Sequence, residues 1–168
     1  MERASAATKR LAHELRALQK GDGTTDELIP ELSPTNEDDL MHWRALLQPP
    51  STGVYGGGRF EVDITVPDTY PIKPPTMRFR TRIFHPNVHW KVRRDADEET
   101  GEICLDVLQT QWSPAWTLHS ACTAVLALLD GPEPNSPLNV DAANLLRTGD
   151  AVAYRSLCHM YTRLYAMA

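Results

Sequence analysis

At 168 residues, with 42% hydrophobic and 23% charged side chains, the chain has the size and make-up of one folded domain, which excludes wholesale disorder. A net charge of −5 opposes binding to nucleic-acid phosphates, and three cysteines with no CxxC pair exclude a disulfide scaffold or a zinc ribbon. No apolar run approaches the roughly 20 residues of a membrane span, and neither end carries a secretory or lipidation pattern, so a soluble, cytoplasmic protein is expected.

Residues 5–19 read as an amphipathic helix. Thr8, Leu11, Leu15 and Leu18 follow helical spacing, Lys9, Arg10, Arg16 and Lys20 take the other face, and Gly21-Asp22-Gly23 supplies the stop. Leu28–Leu32 predicts a short strand ended by Ser33-Pro34. Asp39–Leu47 predicts a second, with Met41, Trp43, Ala45 and Leu47 on one face before Pro49-Pro50 and Gly53 break it. In Phe60–Val66 the apolar Phe60, Val62, Ile64 and Val66 alternate with Glu61, Asp63 and Thr65, and Met77–Thr81 alternates again. Short connections between these strands favour an antiparallel meander. Residues 82–116, rich in Pro, Trp and charge, read as an irregular segment of the kind that carries function. Thr117 is placed to cap a helix through Leu129, Asp141 a short one to Arg147, and Asp150 a last one with Ala151, Tyr154, Leu157, Cys158, Tyr161 and Leu164 on its stripe. Residues 1–168 therefore read as one α+β unit: an N-terminal helix, a four-stranded antiparallel meander, an irregular active-site segment and C-terminal helices.

Cys122 and Cys158 lie on apolar helix stripes, where a free cysteine behaves as a small hydrophobe. Cys104 differs: it follows a charged loop and precedes Gln111-Trp112-Ser113-Pro114, and a loop edge offers the access that a reactive thiol needs. A cysteine hydrolase would require a histidine beside it; His85, His89 and His119 are available, but no protease signature surrounds Cys104. His85 and His89 stand four apart, yet Pro86 opposes the helix that would pair them on a metal, and no metal site is expected. Gly56-Gly57-Gly58 leads into a strand with no Lys-Ser/Thr after it, against a phosphate loop. Pro71-Ile72-Lys73-Pro74 matches PxxP, but among 13 prolines it reads as a rigid turn.

Four blocks, Tyr70-Pro71-Ile72-Lys73-Pro74-Pro75, Arg82-Ile83-Phe84-His85-Pro86-Asn87, Gly101-Glu102-Ile103-Cys104-Leu105-Asp106-Val107-Leu108 and Gln111-Trp112-Ser113-Pro114-Ala115-Trp116, stand in the order found in the ubiquitin-conjugating enzymes. Met41-His42-Trp43 and the turn Tyr55–Phe60 add to the likeness, and the chain resembles that family over most of its length. Within it, Ser136-Pro137-Leu138-Asn139-Val140-Asp141 and Asn144–Asp150 resemble the fungal peroxisomal, peroxin-type members.

The resemblance implies that Cys104 accepts ubiquitin from an activating enzyme as a thioester and passes it on with a RING-type ligase, peroxisomal RING peroxins in this case. A thiol suits this exchange because it is both a good nucleophile and, as thiolate, a good leaving group. No cofactor is implied, since ATP is used by the activating enzyme. Asn87 takes one of two roles: its amide stabilises the oxyanion, worth roughly 3–4 kcal/mol for a donor of this kind, or it holds the loop that carries Cys104. His85 and Pro86 shape the turn rather than supply a base. Ser136 matches the gate position beside the cysteine, where many members carry aspartate. A hydroxyl cannot act as a carboxylate base there, which fits a cysteine acceptor such as an import receptor's better than a lysine. Lys9 and Arg10 on the first helix, Ile72, and Ser113-Pro114-Ala115 match the docking surface for ligase and activating enzyme, with a solvated helix face as the alternative for Lys9 and Arg10. The segment 91–100, longer than in most members, reads as a solvated loop overhanging Cys104. Peroxisomal recruitment would come through a membrane tether bound to the sheet face away from Cys104. The alternatives are a conjugating enzyme for another ubiquitin-like modifier and a non-catalytic ubiquitin-binding variant.

Overall fold

The computed structural model describes residues 4–21, 26–93, 98–103 and 105–167. Helix α1 (Ala6–Gln19) opens on Ser5, whose hydroxyl accepts the Thr8 amide. Its buried positions are Ala7, Leu11 and Glu14, so a carboxylate enters the stripe that spacing assigned to Leu18, which is exposed.

Six strands make one antiparallel sheet in the order β1-β2-β3-β4-β6-β5. Strands β1 (Glu31–Asn36), β2 (Asp39–Leu47), β3 (Phe60–Thr65) and β4 (Thr76–Phe79) form the expected meander. The first strand starts later than Leu28 and runs through Pro34 rather than ending there. β1 is a sheet edge, where a residue without an N–H is tolerated. On the inner face Trp43, Ala45, Leu47, Phe60, Val62, Ile64, Met77 and Phe79 share one core with Leu11 of α1 and with Leu118, Cys122, Val125 and Leu129.

The sheet has two more strands than expected because 82–116 is only partly irregular. Strands β5 (Val88–Arg93) and β6 (Glu98–Ile103) form a hairpin that joins β4 through β6, and helix α2 (Leu105–Gln111) follows. The hairpin also corrects the reading of 91–100 as a loop over Cys104. Its last described pair, Arg93–Glu98, stands five residues beyond the Val88–Ile103 pair, about 17 Å at the usual rise of a strand, on the side away from that cysteine's chain neighbours. Gly101 fits because a Cβ there would come within 2.9 Å of Val88 and 3.1 Å of Phe79.

The helical end follows the capping signals, with one shift. Thr117 caps α3 (Leu118–Asp130) in a reciprocal box with Ser120, and Asp150 caps α5 (Ala151–Tyr161). Helix α4 (Val140–Arg147) is capped by Asn139 and not by Asp141, which sits in its first turn. A π-helical turn, Thr162–Ala166, continues α5, and its Ala166 carbonyl accepts the N–H of Arg59, the residue before β3.

Candidate active site

The turn His85-Pro86-Asn87 leads into β5 and is buried at both His85 and Asn87. The His85 ring donates from Nε2 to the Leu128 carbonyl near the end of α3 (2.9 Å) and accepts the Asn87 N–H at Nδ1 (3.0 Å), a tautomer set by its partners. Burial holds its pKa down to about 4. With both nitrogens engaged the ring cannot serve as the base of a cysteine hydrolase.

Asn87 faces the segment after α3. Its Nδ2 donates to the carbonyls of Glu133 (2.8 Å) and Ser136 (3.1 Å), while its Oδ1 accepts the Glu133 N–H (2.8 Å). The Pro86 carbonyl accepts the N–H groups of Leu138 and Asn139. The loop that carries Ser136 is thus fastened to the turn by backbone-directed bonds at five points. Ser136 and Glu133 line a cleft of about 420 Å³ with Thr110 and Gln111 of α2.

Cys104 itself lies outside the described residues. Its neighbours do not: Ile103 closes β6 opposite Val88, the residue after Asn87, and Leu105 opens α2. The other two cysteines are buried. Burial pushes the Cys122 thiol up to about 12 and raises that of Cys158, so neither is a nucleophile at neutral pH. His119 is paired with Asp26 (3.0 Å) at the start of α3, some nine residues or about 14 Å along the helix from the Leu128 that holds His85.

The family model for ubiquitin-conjugating enzymes matches residues 10–162. The chain belongs to that family. It is 52% identical to the protein PEROXIN-4 of Arabidopsis thaliana over 79% of both chains. It is 45% identical to the ubiquitin-conjugating enzyme E2 16 of Schizosaccharomyces pombe over 96% of this chain and 94% of that one. Among solved structures it is similar to the H. polymorpha ubiquitin-conjugating enzyme Pex4p, crystallised in complex with the soluble domain of Pex22p, with a TM-score of 0.83 and 36% identity over 98% of this chain and 100% of that one. The peroxin-type resemblance therefore holds.

In this conjugating enzyme the expected docking residues divide. Ile72 is 76% exposed on the turn between β3 and β4, and Lys9, Pro114 and Ala115 are exposed as well. Ser113 is half-buried, its hydroxyl accepting the Ala115 N–H. Arg10 is partly exposed, and its guanidinium is engaged by its neighbours: its Nε donates to Glu14 (3.2 Å) and its Nη2 to the Trp116 carbonyl (2.8 Å). Sequence reasoning assigned no role to Glu14, Tyr70 and Trp112, which tie α1, the turn after β3 and the segment around Trp116 together: Tyr70 donates to Glu14, and Trp112 to the Pro71 carbonyl. The one available signal was a glutamate falling on the buried stripe of α1. No helix among the described residues is long and apolar enough to cross a membrane.

Proposed function

We propose that Cys104 takes ubiquitin from the activating enzyme by thioester exchange and hands it to a peroxisomal import receptor with a RING-type ligase. The Cys104 thiolate attacks the thioester carbonyl on the activating enzyme, whose own thiolate leaves. In the second step an acceptor nucleophile attacks the new carbonyl, the Cys104 thiolate departs and the acceptor's proton passes to solvent. The observation that carries this reading is the Asn87 side chain, which fastens the Glu133–Ser136 loop beside the strand end from which Cys104 follows. Both of its amide hydrogens are spent on backbone carbonyls, which favours holding the gate loop over service as a free oxyanion donor. His85 and Pro86 build the turn, and Ser136 stands at the gate without a carboxylate, in keeping with a cysteine acceptor.

The family requires ubiquitin and an activating enzyme; no cofactor is needed on this chain because that enzyme consumes the ATP. Lys9, Ile72, Ser113, Pro114 and Ala115 form the docking surface. The Pex22p complex of the H. polymorpha relative supports a tether that recruits this cytoplasmic protein to the peroxisomal membrane.

Charging tests the reading. Incubation with activating enzyme, ATP and ubiquitin should give an adduct that reductant removes and that Cys104→Ala abolishes. A folded wild-type protein that forms no adduct with ubiquitin, but does with another modifier, transfers the reading to that modifier. No adduct with any modifier leaves ubiquitin binding without catalysis. Ser136→Asp should raise transfer to lysine relative to transfer to cysteine, and an unchanged ratio removes the acceptor argument.

A further inference from the structure

Glu14 is a carboxylate at 5% exposure in the middle of α1, and three donors from three parts of the chain converge on it. Oε1 accepts the N–H of Leu118, the first residue of α3 (2.7 Å). Oε2 accepts the Tyr70 hydroxyl (2.6 Å) and the Arg10 Nε (3.2 Å). Arg10 reaches on to the Trp116 carbonyl, and the Trp112 indole N–H closes the ring on the Pro71 carbonyl (2.8 Å). Tyr70 and Trp112 lie against each other with ring centres 5.8 Å apart. Burial and the bond to Glu14 hold the Tyr70 hydroxyl protonated far above neutral pH, so it remains a donor.

The chemistry at the centre requires a carboxylate. Three donors need an acceptor-only group; an amide would turn N–H groups toward the Leu118 N–H or the Arg10 guanidinium. A buried ion pair is a poor way to gain stability, because desolvation offsets the attraction. What it fixes here is geometry: the segments tied together carry Lys9 on α1, Ile72 after Tyr70-Pro71, and Ser113–Ala115 between Trp112 and Trp116.

We propose that Glu14, with Arg10, is a positioning residue that holds the ligase-docking surface in its binding arrangement, and that Arg10 contributes from beneath that surface instead of by contact. The inference rests on the docking assignment made above. Its consequence is a specific kinetic pattern. Where only a fraction of molecules holds the competent arrangement, the apparent dissociation constant rises by the inverse of that fraction while the rate at saturation stays the same.

The experiment uses the full chain, charged with ubiquitin at saturating activating enzyme. Discharge to free cysteine is then followed with increasing amounts of the RING domain of a peroxisomal RING peroxin. Glu14→Gln should raise the RING concentration for half-maximal stimulation about tenfold, the result of a competent fraction near one in ten. The maximal stimulated rate and the unstimulated rate should remain within about twofold. Tyr70→Phe removes a single arm of the network and keeps the carboxylate with Arg10 and Leu118, so it serves if Glu14→Gln does not fold. Its effect should be about threefold and should largely vanish in an Ile72→Ala background, because both changes then act through the same turn. Additive effects of Tyr70→Phe and Ile72→Ala, or a fall in the unstimulated rate matching the stimulated one, would make Glu14 an ordinary stability residue and overturn the proposal. If Ile72→Ala weakens stimulation and neither network variant does, the positioning role alone fails. If wild-type discharge is not stimulated at all, the docking assignment falls and takes the proposal with it, while charging at Cys104 stands as a separate result.

Discussion

The buried His85 ring is neutral in the folded chain, its pKa held near 4 by desolvation against an ordinary value of 6.5. Between those values the unfolded chain takes up a proton that the folded chain refuses. Stability is therefore complete above pH 6.5 and falls as pH drops toward 4, by on the order of 3 kcal/mol over that window. Urea denaturation should show an earlier midpoint at pH 4.5 than at pH 7, and His85→Gln should flatten the difference; an equal slope in the variant would remove His85 from the account. The His-Pro-Asn run was legible as a motif because its three residues are contiguous. Its partners were not: Leu128, Glu133 and Ser136 lie more than forty positions away, and nothing in local spacing announces a bond to a backbone carbonyl. The same blindness hid Glu14, two of whose three donors come from positions 70 and 118.

Elements whose signals are local came through from sequence. α1, β2, β3 and α3 each show a cap or a clear periodicity and lie within a residue or two of their expected spans, and α5 starts where Asp150 places it but gives way to the π-helical turn after Tyr161, before Leu164. The β5–β6 hairpin was missed even though Val88, Trp90 and Val92 alternate with polar neighbours, because the charges that follow read as a solvated loop. Tertiary packing overrides that composition. Arg82 lies over both Trp90 (5.2 Å) and Tyr165 (5.5 Å) and pairs with Glu99 (3.4 Å), which fixes the hairpin to the C-terminal turn. Gly101 is where β6 presses against Phe79 and Val88. Gly101→Ala should cost about 1–3 kcal/mol through overpacking, read as a lower urea midpoint with an unchanged slope. A neutral result would mean that β6 has room to shift.

Across the whole molecule the two broad surfaces differ in character. The outer face of the sheet carries Asp63 between Arg44 (3.3 Å) and Arg80 (2.9 Å), with Lys91 on Glu102 (2.8 Å) farther along. Exposed apolar side chains gather at the C-terminal end instead, on Val152, Met160, Leu164 and Met167. A tether on the sheet would be recognised by charge, and one on the C-terminal end by apolar contact. Asp63→Lys should abolish binding of the soluble domain of a Pex22p-type tether if the sheet is the site, whereas loss only with Val152→Asp and Leu164→Asp moves the interface to α5 and the turn that continues it. The two exposed pairs of Asp63 add at most about 1 kcal/mol each to stability, and Val152 and Leu164 are exposed, so neither outcome is read through a loss of the core. Pro34 gives the rim of this sheet a further property. On β1 it removes one backbone donor, and the register breaks between it and Asn36, so a second copy of the chain finds no continuous strand to extend. Along that margin the chain is kept from pairing strand to strand with its own copies.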